Sequence, residues 1–139
     1  MDVKQSIAAV RELLLQDERI ACALLFGSAA KEAARRMSDL DVGVVARARA
    51  DVASLEREHL ELVARLSRAA GRDVDLVILD RAEPLLGRQA FLHGRALFDR
   101  DPKRRAEVLE RILREYFDGE YHRRLRNEAL EQRLALRRG

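Results

Sequence analysis

Apolar residues at Val3, Ile7, Val10 and Leu14 recur at helical spacing, so the chain opens on an amphipathic helix over residues 3–15. The next run, Ile20 to Phe26 (IACALLF), is almost wholly apolar and stops at Gly27, the pattern of a strand buried on both faces. Ser28 then stands as the cap of a short basic helix, AAKEAARR. Asp39 to Val45 (DLDVGVV) carries β-branched residues and predicts a second strand. Ala50 to Gly71 predicts one long helix, with Val52, Leu55, Leu62, Val63 and Leu66 turned inward and Gly71 as its terminator. Val74 to Leu79 (VDLVIL) predicts a third strand, Pro84 to about Leu92 a helix, and Arg95 to Phe98 an edge strand.

The last third is helical. Val108, Leu109, Ile112, Leu113, Tyr116 and Phe117 form one apolar stripe, which Asp118-Gly119 interrupts. Beyond it only Tyr121, Leu125, Leu130 and Leu134 continue, thinly, among many Arg and Glu, so this end is expected to fray unless a partner covers it. The stripe predicts contacts beyond the monomer, a homodimer among them, although a helix covering its own sheet would show the same pattern. With no repeat or linker, the chain reads as one domain over residues 1–139, with a core about 1–100 and a helical extension about 101–139. The fold class is α/β (α+β): a small mixed β-sheet packed on helices, with a long C-terminal helix.

Composition narrows the classes. Hydrophobic residues make up 47% of 139, enough for a real core, and charged residues reach 37%, as on a heavily solvated helical surface. The net charge of +3 comes almost wholly from Arg, since Lys occurs only at positions 4, 31 and 103. That balance does not demand a nucleic-acid partner; it suits a triphosphate or an acidic protein surface. Cys22 is the only cysteine and sits in an apolar run, so it reads as a buried core residue without a disulfide. No charged-then-apolar leader opens the chain and no apolar stretch approaches membrane-spanning length, from which a cytoplasmic protein without membrane contact is expected.

Three acidic residues stand where strands should be apolar. Asp39 and Asp41 are two apart, so their side chains share a face, with Cα atoms about 6.5–7 Å apart at a strand rise of ~3.3 Å. From that distance two carboxylates can share ions spaced ~3.5–4 Å, as in two-metal sites. Gly43 lies on the same face and would leave a gap where a nucleotide could approach. Asp75 lies between Val74 and Leu76 inside another strand. Carboxylates set on one sheet repel each other, so without a cation their pKa values should rise. The pair alone is equally compatible with an acidic strand start in which Asp41 and Asp75 face solvent. Strand, Gly27-Ser28, helix is the arrangement that aims free backbone N–H groups at an anion. On its own it is a capping signal; beside the carboxylates it becomes a phosphate cradle facing a metal site.

Gly27-Ser28, ten residues, then Asp39-Leu40-Asp41 matches the G-S-x10-D-x-D signature of the polymerase-β-like nucleotidyltransferase superfamily. Within it the chain resembles the minimal nucleotidyltransferase (MNT) antitoxins of HEPN–MNT toxin–antitoxin pairs, through LFGSAAKEAARRMSDLDVGVV, GRDVDLVIL and GRALFDRD. The resemblance implies that Asp39 and Asp41 bind two Mg²⁺ ions carrying ATP. It implies that Asp75 completes the metal site and helps deprotonate the attacking hydroxyl, and that Gly27, Ser28 and Lys31 hold the phosphates. The reaction implied is transfer of AMP from ATP to a tyrosine of a partner HEPN toxin. The family usually has an aromatic after Gly-Ser and then Ala-Arg-Gly-Glu, where this chain has Ala29, Ala30, Lys31, Glu32 and Ala33. Lys31 keeps a cation there, as a point charge and not a bidentate fork.

Two rival functions remain at this stage. One is an antitoxin that acts by binding alone, with vestigial carboxylates; the other is nucleotidyl transfer to a small molecule such as an aminoglycoside, for which 139 residues leave little room. Arg88 and His93 superficially match the Arg/His motif of HEPN ribonucleases, but that motif belongs to an all-helical domain. His59 and His122 have no ligand-spaced companions and read as surface residues, and Arg35 and Arg36 as a solvated basic face.

Overall fold

A computed structural model describes residues 1–27 and 39–138. The elements run α1 (Val3–Leu15), β1 (Ile20–Phe26), β2 (Leu40–Ala46), α2 (Arg49–Arg57), α3 (His59–Ala70), β3 (Val74–Ile78), α4 (Pro84–His93), β4 (Arg95–Asp99) and α5 (Pro102–Arg138), with a 3₁₀ turn at Leu79–Arg81. The short basic helix expected after Ser28 lies outside the described residues.

The four strands form one mixed sheet in the order β3-β2-β1-β4. β1 pairs antiparallel with β2 and β4, while β2 pairs parallel with β3, the α2–α3 segment making the crossover that a parallel pair needs. Every residue of β1 is buried, which explains its unbroken apolar run: it is an inner strand with helices on both faces. Val42 and Val44 of β2 point with Val74, Leu76 and Ile78 of β3 into a layer closed by Val10 and Leu14 of α1 and by Leu55, Leu62 and Leu66 of α2 and α3. The opposite face carries Leu24, Phe26 and Val45 under Ala90 and Phe91 of α4 and Val108 and Ile112 of α5.

The first half of α5 therefore covers its own sheet. Val108 and Ile112 of the apolar stripe are buried against the protein body, whereas Phe117 is exposed. α5 approaches α4 closely because Gly87 has no side chain: a Cβ there would lie 2.6 Å from Ile112 Cδ1. Arg104, in the first turn of α5, donates to Ala46 O (2.8 Å) and to Asp80 Oδ2 (2.6 Å), and Asp80 Oδ1 accepts from Ala46 N (2.9 Å). Burial pushes the Asp80 carboxyl up, and the Ala46 amide and the Arg104 charge pull it back.

Two local expectations are corrected. Residues 50–71 are two helices broken at Glu58, whose φ of −97° and ψ of 9° leave the helical range. The break is held from both sides: Arg19 binds the Ser54 hydroxyl and the Glu58 carboxylate, and the His59 ring bonds the Leu76 carbonyl at 2.7 Å. His59 is thus half-buried against the outer edge of β3 and not a free surface residue. Gly71 ends α3 in the left-handed region (φ 68°), as its position predicts.

Candidate active site

Chain alternation places the acids. In β2 the side chains of Leu40, Val42 and Val44 enter the core, so those of Asp39, Asp41 and Gly43 take the other face. The same alternation in β3 buries Val74, Leu76 and Ile78 and turns Asp75 outward. The parallel register then sets Asp41 directly beside Asp75, and Leu40 beside Val74. Adjacent strands lie about 4.8 Å apart, so the two carboxylates spring from neighbouring backbones on one face. Asp39 stands just ahead of β2 and is exposed, as is Asp75; Asp41 is half-buried.

Asp41 is the pivot of the site. On its other side it pairs with Phe26 of β1, whose chain runs straight into Gly27. Gly27 has φ +72°, a region that a side chain rarely tolerates, and a Cβ built there would lie 2.2 Å from Asp41 Oδ2. The glycine is therefore required twice: for the turn, and for the space the carboxylate occupies. Burial pushes the Asp41 carboxyl above its usual range, and the charges of Asp75 and then Asp39 add to the shift. The charges of Asp75 and Asp39 thus reach the Asp41 carboxyl.

Among the described residues, no three or more His, Cys, Asp and Glu side chains are gathered into a ready-made metal cage. Mg²⁺ does not require one, since it binds through one or two carboxylates with water and substrate phosphates completing the octahedron. The donor set fits: hard carboxylate oxygens, one of them disfavoured as an anion until a cation arrives. Ser28 and Lys31 lie outside the described residues. The gap expected above Gly43 is not there. Leu79 from the 3₁₀ turn covers it, with Cγ and Cδ1 each 3.0 Å from where a Cβ would be.

The family model for Polymerase beta, Nucleotidyltransferase matches residues 9–103. The chain belongs to that family. Its matched segment runs from within α1 through β4 and includes all three carboxylates and Gly27. Several solved structures share its fold. A chain of a toxin–antitoxin complex solved with AMP-PNP aligns with a TM-score of 0.66 at 22% identity, covering 94% of this chain and 98% of the other. A chain of the MntA–HepT toxin–antitoxin aligns with a TM-score of 0.66 at 22% identity, over 91% and 97%. A chain from the Shewanella oneidensis complex of tri-AMPylated HEPN toxin with MNT antitoxin aligns with a TM-score of 0.62 at 19% identity, over 89% and 98%. No curated protein matches the sequence.

No pattern along the chain singles out Asp80 and Arg104, which fasten α5 to β2 at the end of the strands away from Asp41. A lone acid at a strand end and an arginine in a helix are too common to signal a pair. Arg88, declined above as a ribonuclease residue, stacks its guanidinium over Tyr116, 4.7 Å from the ring centre. Cys22 is buried and free, and burial pushes its thiol up to about 11, which removes it from thiolate chemistry at neutral pH. Among the described residues no helix is long and apolar enough to cross a membrane.

Proposed function

We propose that this nucleotidyltransferase-family chain is a cytoplasmic MNT antitoxin that transfers AMP from ATP to a tyrosine hydroxyl of a partner HEPN toxin. The observation that carries the reading is the side-by-side pairing of Asp41 with Asp75, with Gly27 pressed against the Asp41 carboxylate. It is supported by the family match and by the AMP-PNP and AMPylated-toxin structures that share the fold.

Asp41, with Asp39 and Asp75, would hold two Mg²⁺ ions. Bound there, the metal would supply charge neutralisation for the triphosphate. Gly27, followed by Ser28 and Lys31, would bind the β- and γ-phosphates from the turn. Asp75, exposed at the rim, is the carboxylate an incoming hydroxyl meets and would take its proton. The acceptor oxygen attacks the α-phosphorus in line, an O–P bond forms, the α–β phosphoanhydride breaks, and pyrophosphate leaves. Adding AMP to a toxin tyrosine places a bulky phosphodiester with one negative charge on its surface and silences it.

Titration of ATP into wild type, Asp39→Ala and Asp41→Ala, with and without Mg²⁺, tests this. Binding is expected only with Mg²⁺ and only for wild type, with circular dichroism unchanged; equal affinity in all three proteins refutes the assignment. Incubation of the chain with its HEPN-family partner, Mg²⁺ and ATP should add AMP mass to that partner at a tyrosine; the neighbouring gene is the place to look for it.

A further inference from the structure

α5 leaves the body of the protein half-way along its length. Residues 121–137 are all exposed, so about 17 residues, roughly 25 Å of helix, meet no part of their own chain. An isolated helix of that length and polarity is marginal in water, and proteins stabilise such helices by packing one face.

The face in question is a continuation of the one already used. Ile112 is buried against the sheet and Tyr116 half-buried beside α4. Stepping onward by alternating threes and fours, the spacing that keeps one helix face, the same seam reads Gly119, Arg123, Arg126, Leu130, Arg133, Arg137. Leu134 flanks it, one turn after Leu130. No acid lies on the seam: Asp118, Glu120, Glu128 and Glu131 fall to its sides or behind it. None of the four arginines makes an ion pair among the described residues, whereas upstream Arg111 and Arg114 pair with Glu115 and Glu110. Leu130 and Leu134 are 56% and 44% exposed in the middle of this charge.

We propose that the seam Arg123–Arg137 docks an acidic, groove-bearing surface of the partner protein, the arginines pairing with its carboxylates and the two leucines entering the groove. Charge selects this occupant. A second copy would set four arginines against four arginines, a like-charge juxtaposition that specific interfaces avoid. A nucleic-acid backbone would satisfy the arginines but leave the leucines nothing to bury, while a helix in a protein groove uses both. The docking rests on and deepens the partner-directed function proposed above, adding the sign of the partner's surface.

The test uses the 139-residue chain and its HEPN-family partner, with affinity measured by calorimetry at two salt concentrations. Replacing Arg123, Arg126, Arg133 and Arg137 by Gln should weaken binding about 100-fold, and Leu130→Ala with Leu134→Ala about tenfold. Wild-type affinity should fall with salt and that of the Gln variant should not. Mg²⁺–ATP binding should be unchanged in both variants, which separates the docking face from the carboxylate site: loss of ATP binding in Asp41→Ala speaks only to the latter. Wild-type-like partner affinity in the Gln variant, or no binding by the wild-type chain, overturns the proposal. So does tighter binding to a labelled 20-nucleotide RNA than to the partner with the same arginine dependence.

Discussion

Gly27→Ala and Gly71→Ala form a matched pair that separates backbone strain from damage to the site. Both glycines occupy the left-handed region, at φ 72° and 68°. An L-residue there costs about 1–2 kcal/mol, so both variants should lose that much stability, a fall of about 4–8 °C in Tm at ~4 °C per kcal/mol for a chain of this size. Their surroundings differ. The nearest atom to a Cβ at position 71 is Met1 Sδ at 3.7 Å, ordinary contact, whereas at position 27 it is Asp41 Oδ2 at 2.2 Å, followed by Cγ at 3.1 Å. The Asp41 carboxylate must then move by more than an ångström. Displacement on that scale costs about 100-fold in a positioned site. Differential scanning fluorimetry and AMP transfer to the partner, measured side by side, should show similar Tm losses but impaired transfer only in Gly27→Ala. Equal transfer by the two variants would refute the idea that Gly27 exists to leave room for Asp41.

Three further outcomes are expected. Asp41 has a raised folded-state pKa, so its contribution to stability is present below the usual aspartate value of 3.8 and is lost as pH rises through the folded value. Asp41→Asn should therefore raise Tm at pH 7 but not near pH 3, by thermal melts, while losing ATP binding. Arg104→Met removes the ion-pair partner of the buried Asp80 carboxylate and should cost about 3–5 kcal/mol in urea unfolding, with Asp80→Asn restoring part of it. Gly119→Ala meets nothing within 4 Å and should strengthen α5 by up to about 1 kcal/mol, seen as a rise in helical ellipticity with transfer unchanged.

What could be read from the sequence was what local periodicity controls. The strands, α1, the end of α3 at Gly71, and the outward turn of Asp39, Asp41 and Asp75 follow from alternation against buried valines and leucines. What escaped depends on residues far apart in the chain. Leu79 folding over Gly43 is a tertiary contact, and no pattern within β2 announces it. The break at Glu58 comes from Arg19, some forty positions earlier, and the fastening of Asp80 by Arg104 needs the start of α5 brought to the end of β2. The continuous α5 was visible only as a thinning stripe, because the sequence shows which residues are apolar but not where the body of the protein stops.

The parallel register of β2 and β3 makes geometry and chemistry a single specification. Successive side chains point to opposite faces, so sliding β3 by one position would bury Asp75 and expose Leu76, at a cost the core would not bear. The helical excursion between the two strands can thus lengthen, shorten or change sequence across relatives without touching catalysis, provided Leu40 still meets Val74. Hydrophobic selection acting on five ordinary strand residues would, in that way, conserve the spacing of two acids it never senses.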